Sequence, residues 1–231
     1  FAIELAKALN TVILSADSRQ FYKEMSIGTA APTPEELLQV KHYFIHNISI
    51  EDKYDVAVYE REVLALLGEL FKTHDNVILT GGSGLFIDTV CNGIDEMPDV
   101  QPEIRQKVEK MLKEGGINAL SEEIQQLDPE YFAVVDKQNP RRLQRALEIC
   151  YQTGKTFSSF RQNNIAQRDF NIVKYALLWE RQELIKRIDR RVELMMEQGL
   201  LEEAKALYPT RELNALNTEG YKELFTYFDG R

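Results

Sequence analysis

The chain has 231 residues, is 44% hydrophobic and 28% charged, and carries a formal net charge of −9. That length and apolar content are enough for one large core, or for a core carrying an insertion, and they exclude a disordered chain. No uninterrupted apolar run reaches the roughly 20 residues of a membrane helix, and no charged-then-apolar leader opens the chain, so the sequence reads as cytosolic.

Phe1 to Leu9 sets Ala2, Leu5, Ala6 and Leu9 at helical spacing with no capping residue in front, so a preceding strand and turn are expected in the intact protein. Were that turn a phosphate-cradling loop, this helix would face the phosphates with its amino end. The residues given contain no glycine-rich loop ending in Gly-Lys-Ser/Thr. Val12 to Tyr22 then reads as a short buried parallel strand ending in an acidic turn, which delivers Asp17 to the crevice where open α/β sheets bind ligands. A simpler role, with Asp17 and Ser18 capping a following helix, stands beside it.

Gly28 to Pro34 reads as a loop, Glu35 to Lys41 as a short helix, and Phe44 to Ile48 as an edge strand. Tyr54 to Lys72 carries Val56, Tyr59, Val63, Leu66, Leu67 and Leu70 on one face, the pattern of a helix packed on a sheet. Asn76 to Thr80 is a second buried strand that runs into Gly81-Gly82-Ser83-Gly84, and Leu85 to Asn92 resumes helical spacing. Strand, glycine turn and helix together aim backbone N–H groups and a hydroxyl at an anion or a substrate edge; tight packing of strand on helix would demand the same glycines. Cys91 and Cys150 both fall in apolar helical patterns and read as buried reduced thiols, and with three scattered histidines they offer no zinc-ligand spacing.

Gly93 to Gln101 is a Pro- and Gly-containing linker, and from Pro102 to about Asp169 the periodicity is helical throughout, in segments at 102–113, 117–127, 129–135 and 141–151. The expected organisation is therefore an α/β core of residues 1–97 and 170–231 with a parallel sheet, interrupted by an all-helical insertion of residues 98–169. Charge separates the two parts. Residues 137–168 hold seven basic side chains (Lys137, Arg141, Arg142, Arg145, Lys155, Arg161 and Arg168) against the single acid Glu148, a net +6 within an acidic chain, which is an electrostatic footprint for a polyanion. In its sharpest piece Asn139 caps a helix, Pro140 takes the first helical position, and Leu143, Ala146, Leu147 and Cys150 face inward. Arg141, Arg142, Gln144 and Arg145 project from the first two turns, where cations oppose the macrodipole unless something outside calls for them. Guanidinium forks there can grip phosphates while Gln144 reads a base edge; the alternative is a solvated basic face.

Asn171 to Trp179 alternates into an apolar run and reads as a third strand returning to the core. Arg181 to Gln198 follows as a helix with Leu184, Ile188, Val192 and Met195 as its buried stripe. Arg187 and Arg191 sit one turn apart on that helix, suited to clamping a diphosphate from one side, with ion pairing to Asp189 or Glu183 as the competing use. Leu200 to Leu207 and Asn217 to Phe228 close the chain as helices.

Five blocks, in order, carry a resemblance that covers nearly all of the chain: Asp17-Ser18-Arg19-Gln20-Phe21-Tyr22 with Gly28-Thr29-Ala30, Gly81 to Phe86, Asn139 to Glu148, Arg187 to Val192, and Gly220 to Leu224. Together they resemble the tRNA dimethylallyltransferase family. The resemblance implies a P-loop NTPase-like α/β core with an inserted helical tRNA-binding domain that clasps an anticodon stem-loop. The implied reaction moves a dimethylallyl group from dimethylallyl diphosphate to N6 of the adenosine 3′ to the anticodon, with Mg²⁺ as cofactor, in a cytoplasmic monomer. Carried over by residue, it makes Asp17 the general base and sets Ser18, Arg19 and Gln20 against the tRNA, with Ser83 at the flipped nucleotide. Arg105 and the block Arg141, Arg142, Leu143, Gln144 and Arg145 fall on tRNA-contacting positions. Arg191 falls on the diphosphate-binding arginine, with Arg187 as its helper. The family's phosphate loop, which supplies a lysine and a hydroxyl ligand, would lie before Phe1 and its basic terminal helix after Arg231, so activity is expected of the intact protein rather than of these residues alone. Gly84 and Phe86 are smaller departures from the pattern.

The chemistry agrees with that assignment. An exocyclic adenine amine is a poor nucleophile, so a carboxylate within reach assists by taking its proton as the C–N bond forms. Arginines, Mg²⁺ and a phosphate loop would stabilise the diphosphate as it leaves, and a base stacked in a loop must be extruded before N6 is accessible. Two other classes share parts of the pattern: a small-molecule or nucleotide kinase, which would have the same core and strand-end acid, and a noncatalytic RNA-binding module in which Asp17 is only a cap.

Overall fold

The computed structural model describes residues 1–161 and 165–231, and divides them into two compact units, one of residues 1–91 and 168–231 and one of residues 92–167. The first is built on a short parallel sheet. Helix α1 (Ala2–Ala8) leads into β1 (Ile13–Ser15), whose three residues are all buried because both faces of the strand are covered. β1 lies between β2 (His42–Tyr43) and β3 (Ile78–Thr80), parallel to both, with Ile13 beside His42 and Ile78.

The connections follow local signals. Helix α2 (Pro34–Gln39) starts at a capping box in which Thr33 and Glu36 satisfy each other's backbone N–H groups, with Pro34 in the first turn. Asp55 caps α3 (Val56–Leu70) by accepting from the N–H groups of Ala57 and Val58, and Tyr59, Val63, Leu67 and Leu70 turn inward. The Tyr59 ring stacks on Phe21 at 5.2 Å and meets Phe44 and Phe86 edge-on, while its hydroxyl donates to the Ser15 carbonyl at 2.7 Å. One aromatic cluster thus supports the end of β1 from beneath. Helix α4 (Gly84–Asn92) follows β3 directly.

The second unit is helical. Helix α5 (Pro102–Leu127) breaks at Gly116, whose φ of +67° only glycine adopts freely, so the expected pair of helices at 102–113 and 117–127 is one element with a kink. Helix α6 (Pro129–Val134) is capped by the fully buried Asp128, which also takes the N–H and hydroxyl of Ser158. Helix α7 (Pro140–Thr153) starts at the Asn139 cap and ends at Gly154 in the left-handed conformation, and Leu143, Ala146, Leu147, Ile149 and Cys150 are buried between these helices.

The first unit resumes with α8 (Arg181–Glu197), α9 (Leu200–Leu207) and α10 (Tyr221–Phe228). Three expectations are corrected here. Residues 171–180 form no strand: they are exposed throughout, and among the described residues their one backbone hydrogen bond is the Glu180 carbonyl accepting the Leu184 N–H at the start of α8. Alternation becomes a strand only where a neighbour supplies the ladder, and the sheet runs β2-β1-β3 with residues 171–180 unpaired to either edge. In α8 only Met195 of the expected stripe is buried; Leu184, Ile188 and Val192 are 43–48% exposed, continuing the apolar surface of residues 171–180. The edge strand lies at 42–43 rather than 44–48, because Phe44 and His46 have φ of +61° and +49° and leave only the single bridge from Ile48 to Tyr22. Both cysteines are buried free thiols, as expected.

Candidate active site

The parallel register brings the carboxyl ends of β1 and β3 together, and the two turns that follow are laced into one crevice. Ala16 donates its N–H to the Thr80 carbonyl at 2.7 Å, and Ser83 donates its own to the Ala16 carbonyl at 3.1 Å. Gly81 sits between them. A Cβ there would stand 2.3 Å from the Ala16 carbonyl carbon, so the glycine is required by main-chain approach. The Ser83 hydroxyl accepts the Ser18 N–H at 2.9 Å and donates to the Ser18 hydroxyl at 3.0 Å.

Asp17 occupies the mouth of this crevice, half-buried. Its Oδ1 accepts the Arg19 N–H at 3.0 Å and its carbonyl accepts the Gln20 N–H at 3.1 Å, an Asx turn that fixes the carboxylate without a helix. No helix follows, so the capping role is not the one Asp17 plays. Oδ2 points toward Gly82, where an added Cβ would lie 3.1 Å away, and accepts no hydrogen bond among the described residues.

Two motif side chains are bonded to main-chain groups of neighbouring segments. The Arg19 guanidinium donates to the carbonyls of Asn214 at 3.1 Å and Ala215 at 2.9 Å, and reaches that of Asn217 at 3.4 Å. Gln20 accepts the Ser15 hydroxyl and donates to the carbonyls of Thr29 and Ala30. Both side chains hold the loop that presents Asp17.

Segment 25–30 is itself anchored. Glu203 of α9 accepts the N–H groups of Ser26 and Ile27 on Oε2, at 3.0 and 2.9 Å. Its Oε1 accepts the Gly28 N–H at 2.9 Å and the Tyr221 hydroxyl at 2.5 Å. Burial, then the bond to Glu203, push the Tyr221 hydroxyl well above the usual tyrosine range. Sequence reasoning missed Glu203, because the nest it fills is formed by main-chain N–H groups of a segment distant in sequence.

On α8, Arg187 lies over the Trp179 ring at 4.2 Å, and Arg191 is exposed. Neither takes Asp189 or Glu183: Glu183 pairs with Lys186, and Arg190 with Glu193. Among the described residues Arg191 is left without an ion pair.

In the helical unit Arg105, Arg141 and Arg142 are exposed, Gln144 and Arg145 are half-buried, and Arg145 lies 3.6 Å from Glu148. Leu143 is fully buried, and its side chain packs in the core of the helical unit. Arg142 and Arg161 border a depression of about 580 Å³ together with Glu130, Tyr131, Val134 and Phe157. Arg168, counted in the basic segment, belongs to the other unit, where its guanidinium donates to the carbonyls of Thr89 and Val90 in the last turn of α4 and pairs with Glu60. That arginine caps a helix.

The parallel α/β core holds an acid against a glycine turn at its strand ends, and the chain also carries an arginine-headed helix, a combination suited to chemistry on a large anionic substrate. The IPP transferase family model matches residues 20–231. The chain is 51% identical over 229 residues to tRNA dimethylallyltransferase 1 of Phocaeicola vulgatus, covering 99% of this chain and 76% of that protein. It is 49% identical over 230 residues to tRNA dimethylallyltransferase of Christiangramia forsetii, covering 100% and 76%. Among solved structures it is similar to the full-length tRNA isopentenylpyrophosphate transferase from Bacillus halodurans, with a TM-score of 0.66 and 33% identity over 99% of this chain and 72% of that one. A eukaryotic dimethylallyltransferase acting on tRNA shares the fold, with a TM-score of 0.75 at 23% identity over 99% and 60%. The chain belongs to the IPP transferase family, and its activity is tRNA prenylation. Membership sets aside the kinase and the noncatalytic RNA-binding alternatives.

Proposed function

We propose that the protein transfers the dimethylallyl group of dimethylallyl diphosphate to N6 of the adenosine 3′ to the anticodon, giving N6-(dimethylallyl)adenosine, with Asp17 as the general base. The observation that carries this reading is the unequal pair of Asp17 oxygens, one fixed by a backbone N–H and the other an open acceptor at the mouth of the crevice. As the N6 lone pair bonds to C1 of the dimethylallyl group, the C1–O bond breaks and diphosphate departs with that electron pair. The N6 proton passes to Oδ2. The target base must leave its stack to arrive there, and the hydroxyls of Ser18 and Ser83 stand beside Asp17 to receive it.

Arg191, assisted by Arg187, binds the diphosphate in this reading. Arg105, Arg141, Arg142, Gln144 and Arg145 grip the anticodon stem-loop through its phosphates. We assign Mg²⁺ as a companion of the diphosphate, whose charge it neutralises when bound. Among the described residues no three His, Cys, Asp or Glu side chains converge on a metal position, so the diphosphate oxygens would be its main ligands here. The protein works as a cytoplasmic monomer on this reading; among the described residues no helix is long and apolar enough to cross a membrane.

The test is mass spectrometry of nucleosides from unmodified tRNA incubated with the intact protein, dimethylallyl diphosphate and Mg²⁺. One five-carbon unit added to an adenosine, mapped to the anticodon loop, supports the reading; unmodified tRNA after complete incubation contradicts it.

A further inference from the structure

We infer that Glu203 is a positioning residue for the transfer: its carboxylate fills an anion-binding nest made by the N–H groups of Ser26, Ile27 and Gly28, and so fixes the loop that presents Asp17. The inference rests on the function proposed above. Three successive N–H groups turned toward one point form a concavity that holds an anion, and here a side chain of the same chain is the anion. The nest is completed by sterics as well as charge. A Cβ on Gly28 would come within 2.6 Å of the Tyr221 ring, so the fully buried Tyr221 fits against Gly28 and delivers its hydroxyl to Glu203 at 2.5 Å.

The path from Glu203 to Asp17 alternates hydrogen bonds with single-residue stretches of chain. The nest orders residues 26–28, and the carbonyls of Thr29 and Ala30 immediately after it accept from the Gln20 amide at 3.2 and 3.1 Å. The Gln20 main-chain N–H in turn donates to the Asp17 carbonyl at 3.1 Å. Each link outside a single residue or peptide unit is a hydrogen bond. Both carboxylate oxygens of Glu203 are needed, since each accepts two bonds. An amide in its place would turn an NH₂ toward two donors whichever way it was oriented.

The test compares wild type, Glu203→Gln and Glu203→Ala of the intact protein, with kcat and KM for dimethylallyl diphosphate, tRNA affinity and folded fraction measured for each. Displacing a base from its working geometry predicts that both variants lose about 10- to 100-fold in kcat, while KM and tRNA affinity change less than about twofold. Formate or acetate, refilling the vacated nest, is expected to restore kcat severalfold in Glu203→Ala. Chloride at equal ionic strength restores nothing, and Glu203→Gln, whose amide still occupies the space, gains nothing from formate. The inference is overturned by a folded Glu203→Gln with wild-type kcat, or by losses that track the folded fraction and ignore formate. A wild-type protein that transfers nothing overturns the underlying reading instead, and this inference with it.

Discussion

The Ser83 hydroxyl accepts the main-chain N–H of Ser18 at 2.9 Å, joining the turn after β3 to the turn after β1 and making both walls of the crevice one hydrogen-bonded unit. A half-buried backbone N–H deprived of its acceptor costs about 1 kcal/mol, so Ser83→Ala is expected to lower unfolding free energy by that amount. It is also expected to lower kcat about tenfold, because the turn that flanks Asp17 then loses its side-chain tie to the turn after β3. Chemical denaturation and steady-state kinetics on the same preparation check both halves.

The two ends of the glycine turn have opposite sensitivities. At Gly81 an added methyl meets the Ala16 main chain, which cannot move aside, whereas at Gly84 it meets nothing within 4 Å. Gly81→Ala is expected to cost roughly 2–4 kcal/mol, and Gly84→Ala, on the helical first residue of α4, to be neutral or to stabilise by up to about 1 kcal/mol. Thermal unfolding of the pair measures the contrast.

Basic residues of the 137–168 segment divide by what they touch. Arg141→Ala and Arg142→Ala should each weaken tRNA binding and lower the slope of log Kd against log salt by about 0.7–0.9. Arg168→Ala should leave that slope unchanged and reduce stability, since it uncaps α4 and leaves Glu60 unpaired. Filter binding at several salt concentrations separates the two groups.

Alkaline stability reports on the aromatic support beneath β1. Burial pushes the Tyr59 hydroxyl well above its ordinary value near 10, because the phenolate would lose its solvation. The folded state therefore holds this proton more tightly than the unfolded state. The contribution is fully present below pH 10 and falls as pH rises above it, where only the unfolded chain ionises. Tyr59→Phe should flatten the decline in melting temperature above pH 10 while costing about 1 kcal/mol at neutral pH.

The sequence shows most where burial writes a period. The strand at Ile13–Ser15, the helix with Tyr59, Val63 and Leu67 inward, and the Asn139-capped helix with Leu143 and Leu147 inward are all readable in this way. The nearness of Asp17 to Ser83 follows too, since parallel neighbours place both strand ends on one edge. Side-chain direction in the polar turn does not. Arg19 and Gln20 look alike on paper whether they reach for RNA or for the carbonyls of Ala215 and Thr29, because the deciding atoms are main-chain acceptors contributed by other segments. Residues 171–180 fail for a related reason: an alternating pattern states a capacity to pair, not the presence of a partner. Glu203 lies in an ordinary amphipathic helix, and nothing near it in sequence announces the nest it fills.

The central claim is that Asp17 takes a proton and does not merely shape its turn. Single-turnover transfer by the intact protein, compared between wild type and Asp17→Asn with tRNA affinity measured in parallel, tests it most directly. Asparagine keeps an oxygen for the Arg19 N–H and removes the basicity. The account predicts tRNA binding within about twofold of wild type and a rate reduced by about 10²–10⁴; an Asp17→Asn protein that prenylates tRNA at the wild-type rate would contradict it.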